Sequence, residues 1–218
     1  MSDATTDEHG EISHPRFARI YDLAPDERLL EAHRDYLVRD LSGRLLDLGA
    51  GTGSLFSHVA EQAARGEGAL SLSAIEPDPH MRRRAAARAS ELDLEIDLRD
   101  ARAESLPFPD DSFDAVVASV VFCTIGEPEA AVGEVARVLK PGGEFRFLEH
   151  VHADGPTGRL QDLINPVWAR AAGGCQLNRD TLELFVSRDA FDVVEIERLD
   201  RGLFPATPFV RGRLRRRR

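Results

Sequence analysis

Lysine is almost missing from this chain: Lys140 stands alone, and arginine supplies every other fixed positive side-chain charge. With Asp and Glu abundant, that bias fits a GC-rich genome or a salt-loving host, and composition does not separate the two. Cysteine is scarce as well. Cys123 and Cys175 are too few for a disulfide scaffold, and by themselves they cannot form a metal cluster. No apolar stretch approaches the roughly 20 residues that a membrane helix needs, and the polar start from Met1 to Glu11 does not read as a signal peptide. The expectation is a cytoplasmic chain with no integral membrane segment. A broad basic surface is also lacking. The formal net charge is −10, and Arg211, Arg213, Arg215, Arg216, Arg217 and Arg218 are gathered at the very end, so the body is more acidic still and no nucleic-acid partner is expected.

What remains is ordinary for a globular chain of 218 residues, 42% apolar and 30% charged, with enough material for one α/β domain. Its organising stretch is Arg44 to Leu55, RLLDLGAGTGSL. Leu45, Leu46 and Leu48 make the apolar run of a buried parallel strand, and Gly49, Gly51 and Gly53 follow at once. Beyond the turn, Ser54 is placed to cap a helix whose apolar face carries Leu55, Phe56, Val59 and Ala60. Bare backbone and unpaired N–H groups at a helix start can lie against a ligand, so this segment reads as a cradle for a nucleotide-type cofactor.

The spacing narrows the cofactor. A dinucleotide fingerprint would place its third small residue at Ser54, whereas the chain reads Gly49-Ala50-Gly51-Thr52-Gly53, preceded by Asp47 inside the strand. This pattern resembles motif I of the class I S-adenosylmethionine (SAM) methyltransferases. In that family the glycine loop takes the methionine part of a cofactor without phosphates, and no Lys or Arg stands in this loop to neutralise one. The resemblance implies SAM as cofactor, held by Asp47, Gly49, Ala50, Gly51, Thr52 and Gly53, and a small-molecule methyl acceptor as partner.

The following units extend the match. Ala69 to Ile75 reads as a second strand ending at Glu76, near the offset at which a carboxylate meets ribose hydroxyls and can accept from both. Pro79 suits the first turn of a helix reaching about Glu91, and the resemblance places Pro77 and Met81 among the cofactor contacts. Leu94 to Leu98 is a third strand. The next stretch, ARAESLPFPDDSFDAVVAS, resembles one found in many small-molecule methyltransferases, where an Asp or Asn four residues before the Leu of LPF bonds the adenine amino group. Arg102 occupies that position here, which leaves the Ala103 backbone, Glu104 or Asp100 to supply the contact. Asp114 to Ser119 is the fourth strand. Ligands of open α/β sheets bind at strand carboxyl ends, so Ser119, Val120 and the loop through Thr124 should face the transferring methyl. No Asn-Pro-Pro-Tyr stands there, which disfavours methylation of DNA bases or glutamine amides.

A helix over Glu127 to Leu139, a Lys140–Gly143 turn and a fifth strand from Glu144 to Val151 complete a series of βα units. Phe191 to Leu199 is a sixth strand, and Thr207 to Leu214 a seventh that runs antiparallel by analogy with the family. The expected fold is α/β: a Rossmann-like, doubly wound, seven-stranded sheet, mostly parallel with an antiparallel last strand and helices on both faces. Residues 1–15 are expected to be a flexible segment, 16–214 a single domain with caps at 16–43 and 153–180, and 215–218 a solvated basic tail.

The last third bears on the acceptor. Glu149-His150-Val151, Pro166-Val167-Trp168 and Gly173-Gly174-Cys175-Gln176-Leu177 through Arg179 resemble the "EHV … P-x-W … GC-x-L-x-R" series of the alkyl thiol methyltransferases of the methyltransferase-like-seven group, whose members also carry a cysteine in the loop after strand four, like Cys123. The resemblance implies an alkyl thiol as acceptor, ahead of an amine, lipid head group or quinone-like ring. Tyr21, Cys123, Trp168 and Cys175 are candidate acceptor-pocket residues. A thiol must lose its proton to react well, and His150 and His152 are the best-placed bases by topology, with Glu149 able to orient one of them; His150 with Glu149 is the candidate catalytic pair. Glu149 and His150 equally suit simple strand-to-loop bridging. His150 with His152 lacks a third metal ligand of convincing spacing, so no metal is expected. Pro166 should kink or split the helix over Leu160 to Ala172.

Overall fold

A computed structural model of the chain describes residues 25–65, 69–187, 189–199 and 204–218. The 1–15 segment and Tyr21 lie outside these residues. The elements in chain order are α1 (Pro25–Val38), β1 (Gly43–Leu48), α2 (Phe56–Ala64), β2 (Leu70–Ile75), α3 (Pro79–Glu91), β3 (Ile96–Arg99), β4 (Phe113–Ser119), α4 (Pro128–Val138), β5 (Leu139–His150), α5 (Gly155–Ala171), α6 (Thr181–Val186), β6 (Phe191–Leu199) and β7 (Phe209–Arg216). The seven strands form one sheet in the order β3-β2-β1-β4-β5-β7-β6, parallel throughout except for β7, which runs antiparallel to both β5 and β6.

The central strands are buried on both faces, as helices on either side require. Leu45, Leu46 and Leu48 of β1 and Val116, Val117 and Ala118 of β4 have essentially no exposed surface. β1 lies between β2 and β4, so the chain reverses its winding direction at the β1/β4 border. The carboxyl ends of these strands, and the loops that leave them, meet at that border, which is where such sheets bind ligands. One face carries a ring cluster. Phe185 of α6 stands 4.7–5.0 Å, centroid to centroid, from Phe122, Phe145 and Phe147, and edge-to-face contacts of this kind add about 0.5–1.5 kcal/mol each beyond burial. The cluster ties α6 and β5 to the loop after β4. No described helix is long and apolar enough to cross a membrane.

Three local expectations change. Ser54 does not cap α2: the helix begins at Phe56 with Leu55 at its N-cap and no side-chain cap bond, because the Gly53 carbonyl already accepts the Phe56 N–H at 3.1 Å. Asp78 does cap α3, its Oδ1 accepting from His80 N at 2.8 Å and Met81 N at 3.2 Å. Pro166 sits inside an unbroken α5, on an exposed side where water can satisfy the carbonyl that its missing N–H leaves free. The terminal arginines are not a loose tail either. β7 runs to Arg216, and three of the four arginines from 215 to 218 meet acidic partners: Arg215 reaches Glu144 at 3.5 Å, Arg216 pairs with Asp111, and Arg217 Nε donates to Asp192 at 2.7 Å.

Candidate active site

A cavity of about 450 Å³ opens at the carboxyl ends of β1, β2 and β4. Its floor is the glycine turn. Gly49 and Gly51 have φ of +75° and +57°, in the left-handed region that disfavours side chains. The two differ in what surrounds them: a Cβ on Gly49 would lie 2.3 Å from Val121 Cγ2, whereas a Cβ on Gly51 would meet nothing within 4 Å. Gly49 is thus a packing requirement, and Gly51 is the bare backbone that faces the cavity. Gly53 packs against the Phe56 ring and, like Thr52, does not line the cavity.

Two carboxylates stand over this turn. Glu76, at the end of β2, accepts from Gly51 N through Oε2 and from Asp78 N through Oε1, both at 2.8 Å, so it pins the glycine turn to the β2–α3 connection. Burial pushes its carboxyl above the usual range despite those two bonds. Asp47, in β1, is 3% exposed and its Oδ2 has no hydrogen-bond partner. Burial, reinforced by the Glu76 charge and opposed by Arg34, pushes Asp47 up to about 7. Ala50, Pro77 and Met81 line the same side. On the adjoining side lie Ala103 and Glu104, with Arg102 turned back onto Glu104 at 2.9 Å. Asp100 is instead bonded to Arg82 at 2.8 Å and does not line the cavity, which leaves Ala103 and Glu104 of the three adenine candidates.

The opposite wall begins at Ser119 and Val120. Val120 has φ +54°, an outlier for a β-branched residue, held by its N–H donating to Leu148 O at 2.8 Å. The wall continues through Val121, Thr124 and Ile125, then Ala169, Arg170, Gly173 and Gly174 at the end of α5. The sequence points to the loop after β4 and, as an acceptor-side cap, to the segment from Leu160 to Arg179, without singling out these four residues within it. Trp168 does not line the cavity. It packs into the core on one side of the sheet and places its indole N–H beside Cys175.

Behind this wall, three residues far apart in sequence meet. Cys123 Sγ, His150 Nε2 and Cys175 Sγ all lie within 4.8 Å of one another, with His150 Nε2 3.2 Å from Cys175 Sγ. Cys123 Sγ, which donates to the Val120 carbonyl at 3.8 Å, is the largest influence holding Cys175 down at about 4, joined by His150 and the Trp168 N–H against the effect of burial. The same proximity to Cys175, with burial, drives Cys123 well up. Burial would lower His150, but the Cys175 bond and the charges of Cys175 and Glu149 outweigh it and raise it. The three groups thus act on one another, with Cys175 drawn down and Cys123 and His150 drawn up.

Glu149 does not orient His150. Its Oε1 accepts from Val121 N at 3.0 Å and Phe122 N at 3.1 Å, so it fixes the loop that carries Cys123. Arg179 holds the same loop from the other side, donating to the carbonyls of Phe122 and, at 2.8 Å, Ile125. His152 points away, to Gly158 O and Asp162. Replacing Glu149 with Leu strands two N–H groups and should cost about 2–3 kcal/mol in urea unfolding, while Glu149→Gln keeps an acceptor and should cost under about 1 kcal/mol. Equal losses in the two variants would contradict this role.

Comparison with known proteins bears on what the cavity holds. A crystal structure of a methyltransferase from Bacillus halodurans superposes with a TM-score of 0.70 over 86% of this chain and 99% of that one, at 13% identity. A methyltransferase-domain profile matches residues 46–147. Human thiol S-methyltransferase TMT1A is 29% identical over 164 residues, 73% of this chain and 64% of that protein. The ubiquinone/menaquinone biosynthesis C-methyltransferase UbiE of Rickettsia rickettsii is 30% identical over 193 residues, 80% of this chain and 77% of that one. The chain belongs to the class I SAM-dependent methyltransferases. It spans somewhat under two thirds of the length of TMT1A.

In this member of the family the cavity fits SAM, the family's methyl donor. The space over Gly51 admits a ligand against bare backbone, no Lys or Arg stands in the glycine turn, and two carboxylates suit a cation bearing an amine and a sulfonium. Asp47 Oδ2 and Ser119 Oγ are buried polar atoms without a partner, and both residues line the cavity.

Proposed function

We propose that the chain moves the methyl group of SAM onto the sulfur of a small alkyl thiol. The observation that carries this reading is the character of the acceptor wall. Val121, Thr124, Ile125, Ala169, Gly173 and Gly174 offer apolar surface with Arg170 as the sole charged side chain among the described lining residues on that side. A choline- or glycine-like acceptor would need carboxylates or a basic cluster to hold its charged ends; a small thiol needs an apolar slot and a means of losing its proton. SAM supplies an electrophilic methyl on a sulfonium, so the protein's own task is to align the acceptor and expose a thiolate to it.

The residues divide that work. Gly51, Asp47, Glu76 and Met81 bind the donor, with Ala103 and Glu104 on the adenine side. Val120 and Val121 set the wall along which the acceptor approaches. His150 is fully buried and does not line the cavity, so it is a positioning residue that acts through Cys175 and not by direct contact with the acceptor. Cys175, drawn down beside His150, is a weak base toward an acceptor thiol.

The test is transfer of isotopic methyl from SAM to a panel of alkyl thiols, amines and quinols. Transfer to alkyl thiols, with little to the others, is the expected outcome. Preferential labelling of the quinols, which the likeness to a C-methyltransferase allows, would replace the thiol reading.

A further inference from the structure

We propose that Cys123 Sγ, His150 Nε2 and Cys175 Sγ bind one divalent ion of the zinc class, whose fourth position takes the acceptor thiol as a thiolate. This inference rests on the thiol reading above for the identity of the fourth ligand, and on geometry for the ion itself.

Two thiols and an imidazole are the donor set of a soft or borderline ion, and three protein donors with one position left for an exogenous ligand is the pattern of reactive rather than structural sites. Zinc bonds of about 2.3 Å to sulfur and 2.0–2.1 Å to nitrogen place tetrahedral donors about 3.5–3.8 Å apart, so a set already within 4.8 Å needs movements of an ångström or less. The donors are held from behind. Cys123 sits in a loop clamped by Glu149 and Arg179; His150 closes β5 in register with Phe209 of β7; and the Gln176 N–H donates to the Cys123 carbonyl at 2.9 Å, tying the two cysteine-bearing loops together. The Trp168 N–H is buried without a hydrogen-bond partner of its own and lies beside Cys175, where a ligating sulfur would accept it. A second observation favours a cation here: Glu149 Oε2 is buried with no hydrogen-bond partner, and the Glu149 charge acts on both thiols. A simple cysteine pair built for disulfide formation would leave the imidazole contact unexplained.

None of the three donors lines the cavity itself, so the acceptor must reach the ion past Gly173 and Gly174, which do line it and precede Cys175, the least buried of the three. A thiol reaching the ion from that side gives its proton to solvent as the sulfur–metal bond forms, because coordination stabilises the thiolate. Its lone pair then forms the S–CH₃ bond while the methyl–sulfonium bond breaks and leaves its electron pair on the donor sulfur. The products are a neutral thioether, which is a poor ligand and departs, S-adenosylhomocysteine and the released proton.

The experiment uses the reduced, chelator-treated full chain titrated with Co²⁺ under anaerobic conditions. The expected result is one equivalent bound, with thiolate-to-cobalt charge transfer and the visible bands of tetrahedral Co²⁺. Both should be lost in Cys123→Ser and in Cys175→Ser, and retained in His152→Gln, with far-UV circular dichroism unchanged in all three. Propanethiol should then shift the visible bands. Absence of the bands at saturating Co²⁺, a Cys123–Cys175 disulfide in their place, or bands indifferent to propanethiol would each overturn the proposal. Bands that shift without any methyl reaching propanethiol in the zinc-loaded chain would leave this site standing and remove the thiol methylation reading instead. Methylation by a chain that binds no metal would do the reverse.

Discussion

Gly51→Arg should lower the affinity for SAM at least 1,000-fold, a loss of about 4 kcal/mol or more, while the folded chain survives. A side chain at this position starts in open space, with no neighbour within 4 Å of its Cβ, and must extend into the cavity that the donor needs. The backbone cost is modest: φ of +57° in a non-glycine residue is worth about 1–2 kcal/mol, a few degrees of melting temperature for a domain of this size. The Gly51 N–H bond to Glu76 is unaffected by the added side chain. Calorimetric titration with SAM and a thermal melt separate the two effects. Unchanged affinity in a folded variant would show that the donor lies elsewhere. Gly49 makes the contrast, since its Cβ would strike Val121 and the damage there would fall on folding as well.

A second large effect concerns pH. Asp47 titrates near 3.8 when unfolded and at about 7 when buried in β1. Between those values the folded chain holds a proton that the unfolded chain has released, so stability falls as pH rises, by about 1.4 kcal/mol per unit and about 4 kcal/mol in all by pH 8. Asp47→Asn keeps the shape and removes the ionisation. The variant and the natural chain should therefore have similar stability near pH 4 and diverge steadily upward, the variant becoming the more stable by about 4 kcal/mol at pH 8. Glu76, also raised by burial, contributes a further decline, and because its charge acts on Asp47 the difference between the two chains reports Asp47 together with that coupling. Urea unfolding of the SAM-free proteins at intervals from pH 4 to 8 measures it, and parallel profiles would disprove it.

Much of the donor half was legible because its signals are local. The run Leu45–Leu48 followed by three glycines can be little else than a buried strand entering a tight turn, and Asp78-Pro79 announces a helix start by chemistry confined to four residues. Asp47, Gly49, Gly51, Glu76 and Met81 were placed correctly at the cavity for that reason. Expectations failed where a longer-range partner decided the outcome. Ser54 lost its capping role to a backbone bond from Phe56, and the terminal arginines joined the sheet because Glu144, Asp111 and Asp192 stand across from them. The meeting of Cys123, His150 and Cys175 was hidden most completely. Cys123 follows β4, His150 ends β5 and Cys175 follows α5, and only the pairing of β5 with β4 and the return of the chain after α5 bring them together.

The strand order has a consequence for how such a protein can change over time. The glycine-turn side of the cavity comes from β1, β2 and the connections up to β4, while the wall proposed to take the acceptor is built mainly from the loop after β4 and the segment at and just beyond the end of α5. The two sets of residues occupy separate stretches of the gene and share little beyond the β1/β4 border. Substitutions in the later stretch can therefore re-tailor the acceptor slot while donor recognition is inherited intact. Relatives near 30% identity that are named for sulfur methylation in one case and carbon methylation in another are what that division of labour leaves behind.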